Sequence, residues 1–128
     1  MAEGQKTVVC VEDEPDMIYL IEFLLAKKGY QVIGANSGRE GLETIQRVKP
    51  DLVLLDLMMP DIDGEQVCRA MKADKRLKNI PIIVVTAHVT SIDKTLWQEV
   101  IKVNDYITKP FDSQKLLESI ERVFARGA

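Results

Sequence analysis

The chain has 128 residues, of which 46% are hydrophobic and 29% are charged, so it is long enough to bury the core of one globular domain. Its formal charge is −3, from 17 basic and 20 acidic residues, which argues against direct binding of nucleic acid or an anionic membrane. It has neither an apolar run near the ~20 residues that span a bilayer nor the apolar segment of a signal peptide, so we expect a cytoplasmic protein.

The first strand and the first helix are predicted within residues 7–29. Thr7–Val11 is a run of β-branched and apolar residues, typical of a buried strand, and it continues directly into the acidic segment Glu12–Glu14. Pro15 suits the first turn of a helix, apolar residues then recur at helical spacing, and Gly29 is expected to end the helix.

The next two elements are a weaker strand at Tyr30–Ile33 and a second helix. Ser37 and Glu40 have the spacing of a capping box, in which two side chains satisfy backbone N–H groups at the start of a helix. The helix should end before Pro50, because the residue that precedes a proline disfavours helical backbone angles.

The third strand is predicted at Leu52–Asp56, where a continuous run of large apolar residues indicates a strand covered on both faces. Asp56 ends this strand and is therefore expected in the crevice where open α/β sheets bind ligands. Asp63 can cap a third helix, which should give way to a loop over residues 74–79.

The last two strands are predicted at Ile80–Val85, which leads into Thr86, and at Tyr106–Thr108. Thr90 and Asp93 repeat the capping-box spacing before a fourth helix, and a fifth helix follows the last strand.

Five strands alternating with five helices indicate a doubly wound α/β fold, with a five-stranded parallel sheet between two layers of helices. Because we find no linker or low-complexity segment, residues 1–128 are predicted to form one domain, with a core at about residues 6–125. The absence of a further domain before Ala128 favours a stand-alone protein. The tight exit from the last strand predicts a cis peptide bond between Lys109 and Pro110.

Parallel strands open their carboxyl ends on one edge of a sheet, so reactive side chains far apart in sequence are expected to meet there. They are Glu12, Asp13, Asp56, Thr86 and Lys109. The three carboxylates repel one another by about 1 kcal/mol per pair at 4 Å in water, and about 4 kcal/mol at an effective dielectric constant near 20, so a cation should relieve them. Oxygen ligands, including carbonyls of the loop after Asp56, favour a hard ion such as Mg²⁺ over zinc.

The same edge suits a phosphoryl group. Mg²⁺ often shares its coordination shell with a phosphate, whose other oxygens can accept hydrogen bonds from the Thr86 hydroxyl and the Lys109 ammonium group. Asp56 is the predicted nucleophile, because an aspartate carboxylate is already ionised at neutral pH and needs no general base. Its attack on a phosphoryl donor would give an acyl phosphate, which hydrolyses by itself, so the modification would be temporary.

Five ordered segments of the chain together resemble the receiver domain of two-component response regulators. They are Val11–Glu14, Leu55–Pro60, Asp63-Gly64, Val85–Ala87 and Tyr106–Phe111. The resemblance covers essentially the whole chain and implies a flavodoxin-like (βα)5 fold with strand order 2-1-3-4-5. It implies a phosphoacceptor signalling domain rather than an enzyme, one that assists its own phosphorylation and dephosphorylation.

The resemblance also implies roles for the metal-binding residues. Asp13 would bind Mg²⁺ directly and Glu12 through water. Asp56 would bind the metal and accept a phosphoryl group from a sensor histidine kinase or a phosphotransfer protein. The backbone carbonyl of Met58 would be a further metal ligand.

By the same resemblance, Thr86 and Lys109 contact the phosphoryl group, and Tyr106 changes rotamer together with Thr86. We expect Thr86 to move toward the phosphoryl oxygens and the Tyr106 ring to move inward. This change would alter the face made by the fourth helix, the fifth strand and the fifth helix, where a downstream protein or a second copy of the chain would bind.

The segment between Thr86 and Tyr106 departs from the family pattern. It is slightly longer than usual, and Lys102-Val103 replaces the usual Gly-Ala before the last strand. His88 is expected to be a surface side chain rather than a metal ligand, because the site is rich in oxygen. The sequence allows two roles for Trp97, either as a packing residue or as a contact for a partner.

Three alternative functions fit the sequence less well. A phosphatase of the haloacid dehalogenase type also uses an Asp at a strand end, but normally has a second acid two residues later, where this chain has Met58. A receiver-shaped module that acts without phosphorylation is disfavoured because all the chemical positions are filled. A flavin carrier is disfavoured because no Ser/Thr/Gly-rich phosphate loop follows the first strand.

Cys10 and Cys68 lack metal-ligand spacing and are predicted to be small apolar fillers.

Overall fold

The computed structural model describes residues 4–87 and 95–126. The strands in this part of the chain are β1 (Thr7–Val11), β2 (Gln31–Ala35), β3 (Leu52–Leu55), β4 (Ile82–Thr86) and β5 (Asp105–Thr108). They form one parallel sheet in the order β2-β1-β3-β4-β5. The helices are α1 (Pro15–Ala26), α2 (Gly38–Val48), α3 (Gly64–Ala73), α4 (Leu96–Ile101) and α5 (Ser113–Arg126). The predicted doubly wound fold and strand order are confirmed.

The strand boundaries differ from the predicted ones by one or two residues. β2 continues to Ala35, because the Ala35 carbonyl accepts a hydrogen bond from the Glu12 N–H at 2.9 Å. β4 begins at Ile82 rather than Ile80, because the Ile80 N–H donates to Leu77 of the preceding turn. Strand prediction from apolar runs does not detect such turn bonds.

The helix caps follow the predictions in most respects. Ser37 accepts a hydrogen bond from the Glu40 N–H at 3.1 Å, but the Glu40 carboxylate accepts from the Asn36 N–H and not from Ser37. The predicted reciprocal hydrogen bond, from the Ser37 N–H to the Glu40 carboxylate, is therefore wrong. Asp63 and Gln66 form a complete capping box at the start of α3, with both hydrogen bonds at 3.0 Å.

α4 has π-helical hydrogen bonding, which is typical of a helix that accommodates an extra residue. It lies in the segment that is longer than the family pattern. Lys102 ends it with a left-handed backbone (φ 68°), and the Val103 N–H donates to the Trp97 carbonyl at 3.0 Å. The predicted caps Thr90 and Asp93, and also His88, lie outside the described residues.

The sheet separates two apolar layers. Side chains of α2, α3 and α4 pack on one face and those of α1 and α5 on the other. Trp97 is 7% exposed and belongs to the layer beneath α2–α4, which favours its packing role. Cys68 lies in that layer and Cys10 in the opposite one, both as buried free thiols.

The peptide bond between Lys109 and Pro110 is cis, as predicted. Of the helices in the described residues, none has the length and apolar character needed to cross a membrane.

Candidate functional site

The five predicted site residues lie at the carboxyl ends of four strands. Glu12 and Asp13 follow β1, Asp56 follows β3, Thr86 is the last residue of β4, and Lys109 follows β5. Parallel register places these ends on one edge of the sheet. The Asp56 N–H donates to the Val11 carbonyl at 3.0 Å, and the Lys109 N–H donates to the Thr86 carbonyl at 2.8 Å. Backbone bonds between neighbouring strand ends thus hold the site residues in place.

The carboxylates of Glu12, Asp13 and Asp56 converge as the sequence predicted. One oxygen from each lies within 4.8 Å of the other two. Glu12 and Asp56 are 2% and 6% exposed, whereas Asp13 is partly exposed. An all-oxygen cluster with one accessible member fits a hard divalent cation that keeps water ligands.

Lys109 neutralises part of this cluster. Its ammonium nitrogen donates to the Asp56 carboxylate at 3.0 Å and is also hydrogen-bonded to the Glu12 carboxylate. The Lys109 side chain is only 11% exposed. Burial alone would lower the pKa of Lys109, but the hydrogen bonds that Lys109 donates to Glu12 and Asp56 outweigh burial and raise the pKa, so the ammonium group stays charged.

Glu12 has a strongly shifted pKa in this cluster. Burial raises the pKa of Glu12 to about 7, the hydrogen bond from Lys109 opposes this shift, and the nearby charge of Asp56 adds to it. The second Glu12 oxygen accepts a hydrogen bond from the Glu14 N–H at 3.2 Å. A cation placed among the three carboxylates would favour the ionised form of Glu12.

Asp56 is held at both carboxylate oxygens. Oδ1 accepts a hydrogen bond from the Met58 N–H at 3.1 Å, and Oδ2 accepts from Lys109. The Met58 side chain is 59% exposed, so this loop residue points into solvent next to the cluster. Met59 is buried in the core, which anchors the loop just beyond Met58.

Thr86 and Tyr106 lie on adjacent strands on the far side of Asp56. Thr86 is fully buried at the end of β4, where it pairs with Thr108 of β5. Tyr106 pairs with Val84 and is 3% exposed. The Tyr106 ring is therefore already inside the protein without a phosphoryl group, whereas we expected phosphorylation to move it inward.

A groove of about 490 Å³ runs beside β5 and α5, away from the carboxylates. Its lining includes Tyr106, Ile107 and Phe111, together with Lys115 and Arg122. The groove lies on the predicted output face and offers both apolar and charged contacts.

Asp61 makes two contacts near the site that the sequence did not predict. Its carboxylate accepts hydrogen bonds from the N–H groups of Gly38 and Arg39, each at 2.9 Å. Capping patterns compare residues three or four apart, whereas these partners are 23 and 22 residues from Asp61. No local sequence signal identifies such a contact.

Comparison with known proteins identifies the family that the chain is similar to. The family model described as the response regulator receiver domain matches residues 8–121. The transcriptional regulatory protein PhoP for alkaline phosphatase synthesis, from Bacillus subtilis, is 35% identical over 95% of this chain. The chain spans only 50% of the length of PhoP.

Two further relatives are similar along most of their own length. Protein PilH of Pseudomonas aeruginosa is 36% identical over 92% of this chain and 97% of PilH. The crystal structure of chemotaxis protein CheY4 of Vibrio cholerae superposes with a TM-score of 0.86 and 26% identity, covering 94% of this chain and 99% of that one.

Proposed function

The chain belongs to the response regulator receiver domain family of two-component signalling systems, and from this premise we propose that Asp56 accepts a phosphoryl group in a Mg²⁺-dependent reaction. The donor would be a sensor histidine kinase or a phosphotransfer protein. We extend the proposal to residues 1–128 as a single receiver domain, acting in the cytoplasm where ATP-dependent kinases operate.

The observation that carries this proposal is the setting of the Asp56 carboxylate. It lies at the end of the central strand, next to two other carboxylates and within 3.0 Å of the Lys109 ammonium nitrogen. One Asp56 oxygen would attack the phosphorus of the donor, so that an O–P bond forms while the bond between phosphorus and the donor nitrogen breaks. Later attack by water would release inorganic phosphate and restore Asp56.

The other site residues would act by position and charge. Glu12, Asp13, Asp56 and the Met58 carbonyl would hold Mg²⁺, which supplies positive charge against the equatorial phosphoryl oxygens. Lys109 already contacts Asp56 and would donate to a phosphoryl oxygen without a large movement. Thr86 would donate its hydroxyl to another of these oxygens.

The signal would pass from Thr86 through Tyr106 to the face made by α4, β5 and α5. Because the Tyr106 ring is already buried, phosphorylation would stabilise an arrangement that the protein can adopt beforehand. A coupling free energy of about 1 to 3 kcal/mol between the two sites is sufficient for such a population shift.

The test is labelling with acetyl phosphate in the presence and absence of Mg²⁺. We expect one phosphoryl group on Asp56 by mass spectrometry, dependent on Mg²⁺ and absent from Asp56→Asn. Labelling that persists unchanged in Asp56→Asn would refute the proposal. Turnover of p-nitrophenyl phosphate beyond one equivalent would favour the phosphatase alternative, although Met58 occupies the position of its second acid.

A further inference from the structure

Asp61 connects the β3–α3 loop (residues 56–63) to the first turn of α2. Its two carboxylate oxygens accept separate hydrogen bonds from the Gly38 and Arg39 N–H groups, each at 2.9 Å. These N–H groups have no partners within the helix, and the positive end of the helix dipole favours a carboxylate there. The backbone hydrogen bonds from Arg39 and Gly38 lower the pKa of Asp61 to about 2, so the contact is charged throughout the physiological range.

The backbone of α2 also touches this loop directly. A Cβ atom on Gly38 would lie 2.6 Å from the Ile62 carbonyl oxygen and 2.5 Å from Ile62 Cγ1. Such distances leave no room for a side chain, so the first turn of α2 and the loop form one packed unit. Movement of Ile62 would therefore require movement of α2 or loss of the Asp61 hydrogen bonds.

The opposite side of the loop is equally constrained. A Cβ atom on Gly64 would lie 2.8 Å from Leu57 Cα and 2.9 Å from the Asp56 carbonyl oxygen. The Gly64 N–H donates to the Leu57 carbonyl at 3.2 Å. The segment that carries Met58 is thus held between the start of α3 and the start of α2.

α2 has a second contact with the site, through β1. A Cβ atom on Gly41 would lie 2.6 Å from Val11 Cγ1, and Val11 directly precedes the acids Glu12 and Asp13. One helix therefore packs against both chain segments that supply the carboxylates. On the β3 side its contacts are the hydrogen bonds to Asp61 and the packing of Gly38 on Ile62.

We propose that Asp61 is a positioning residue for the metal site, which holds the β3–α3 loop against α2 and thereby fixes Asp56 and the Met58 carbonyl relative to Glu12 and Asp13. This inference rests on the proposed function, because it takes Mg²⁺ as the ligand of the cluster. Asp61 is not one of the three clustered carboxylates, so it would act through the loop and not as a metal ligand.

The test compares Asp61→Ala with Asp51→Ala. Asp51 is a matched control because its carboxylate also accepts a backbone hydrogen bond from a distant residue, Thr7, at 2.8 Å and 44 residues away. That bond lies at the amino ends of β1 and β3, at the opposite edge of the sheet from the carboxylate cluster. Both variants lose a carboxylate that links two segments, but only one loses a link to the site.

The measurement is the Mg²⁺ dissociation constant by calorimetry, together with the free energy of unfolding in urea. For Asp61→Ala we expect Mg²⁺ to bind about 10-fold more weakly, the low end of the effects found for residues beyond the metal ligands. Asp51→Ala should bind Mg²⁺ within about twofold of wild type, because distant sites behave independently. Asp61→Asn should recover part of the affinity, since its amide oxygen can accept one of the two hydrogen bonds.

The Mg²⁺ affinities of these variants test the positioning role of Asp61. Equal Mg²⁺ affinity in Asp61→Ala and wild type, or an equal loss in Asp51→Ala, would overturn the positioning role. If Asp61→Ala does not fold, Asp61→Asn provides the comparison. The positioning role would be overturned if the amide NMR signals of Gly38 and Arg39 shift in Asp61→Asn while its Mg²⁺ affinity stays at the wild-type value. If wild type takes a phosphoryl group on Asp56 and Asp61→Ala binds Mg²⁺ normally, the positioning role is refuted but the proposed function is not. Wild type that neither binds Mg²⁺ nor becomes labelled would refute the proposed function as well.

Discussion

At the scale of single residues, the charge balance of the site depends on Lys109. Its ammonium group contacts Glu12 and Asp56, so it offsets one of the three negative charges that the cluster brings together. Asp13 adds its carboxylate to a pair that Lys109 only partly neutralises. The cluster thus keeps a net negative charge, which favours cation binding and disfavours the folded protein when no divalent cation is present.

The first prediction concerns Asp13. Without Mg²⁺, Asp13→Asn should raise the free energy of unfolding by about 1 kcal/mol or more, because about 1 kcal/mol is the repulsion of one carboxylate pair at 4 Å in bulk water. The same variant should lose the rise in melting temperature that Mg²⁺ gives to wild type. Thermal unfolding with and without Mg²⁺ checks both effects.

Asp16→Asn provides the control, because Asp16 is an exposed acid in the first turn of α1. It should keep the Mg²⁺ response, and its stability should not rise, since acids near a helix N-terminus are favourable. A metal-free Asp13→Asn protein that melts below wild type would count against repulsion within the cluster.

The second prediction is a pH dependence that arises from Glu12. Because burial raises the pKa of Glu12 from 4.5 to about 7, the folded protein binds a proton in that range that the unfolded chain has already released. Without Mg²⁺, the contribution of Glu12 to stability is present at low pH and is lost as the pH rises through about 7.

Mg²⁺ must displace this proton, so its affinity should fall as the pH drops below about 7. For one competing proton the change approaches about tenfold per pH unit. Calorimetric titration of Mg²⁺ across the range gives the slope, and Glu12→Gln should flatten it. A slope that is unchanged in Glu12→Gln would assign the competing proton to another group.

At the scale of elements, β4, β5 and α4 would form the proposed route from the site to the output face. Thr86 ends β4, Tyr106 lies inside β5, and Trp97 of α4 shares an apolar layer with Tyr106. The π-helical turn of α4 brings the Trp97 carbonyl to the Val103 N–H just before β5. A change at Thr86 can therefore reach α4 through contacts between neighbouring elements.

The third prediction tests this route with Thr86→Ala. The variant should still accept a phosphoryl group, more slowly, but beryllofluoride with Mg²⁺ should no longer shift the amide NMR signals of β5 and α4. Thr86→Ser keeps the hydroxyl and should retain most of the wild-type shifts. If the amides of β5 and α4 move as far in Thr86→Ala as in wild type, the coupling does not run through Thr86 and Tyr106.

The predicted and observed elements agree best where the sequence pattern is set by burial. β1 and β3 were predicted closely because their continuous apolar runs lie in the middle of the sheet, where both faces are covered. The convergence of Glu12, Asp13 and Asp56 followed from strand ends alone, since parallel strands leave little choice of edge. The family resemblance added the strand order, which the apolar pattern does not specify.

What the sequence did not predict depends on contacts between distant segments. The π-helical bonding of α4 has no apolar signature, because Trp97 and Ile101 fit the spacing of an ordinary helix equally well. Asp61 was overlooked because it caps a helix that precedes it in the chain. The buried position of Tyr106 depends on how α4 packs, and the start of that region lies outside the described residues.

At the scale of the whole molecule, the carboxylate cluster and the groove on the predicted output face lie on different surfaces. The carboxylates open at the edge of the sheet, whereas the groove beside β5 and α5 lies along its side. The groove carries cations of α5 and acids of β5 and α5, a mixture that suits electrostatic pairing with a similar surface. Two copies of the chain related by a twofold axis could pair these opposite charges.

The fourth prediction is that phosphorylation promotes a homodimer through this face. Light scattering should show a monomer without ligand and a doubled mass with beryllofluoride and Mg²⁺. Arg122→Glu, which reverses an exposed charge beside the groove, should weaken the dimer, whereas Lys75→Glu after α3 should not. An unchanged mass in wild type would contradict the dimer and leave the face to a different partner.

The alkylation rates of the two buried thiols can measure how often each apolar layer opens to solvent. Burial raises the pKa of Cys68 to about 12 and shifts the pKa of Cys10 upward as well, so neither forms the reactive thiolate while its layer is closed. Cys10 belongs to the layer under α1 and α5, and Cys68 to the layer under α2–α4. The alkylation rates of Cys10→Ser and Cys68→Ser therefore report separately how often each layer becomes accessible. If signalling loosens α4, beryllofluoride should change the labelling rate of Cys68 and leave that of Cys10 as it was.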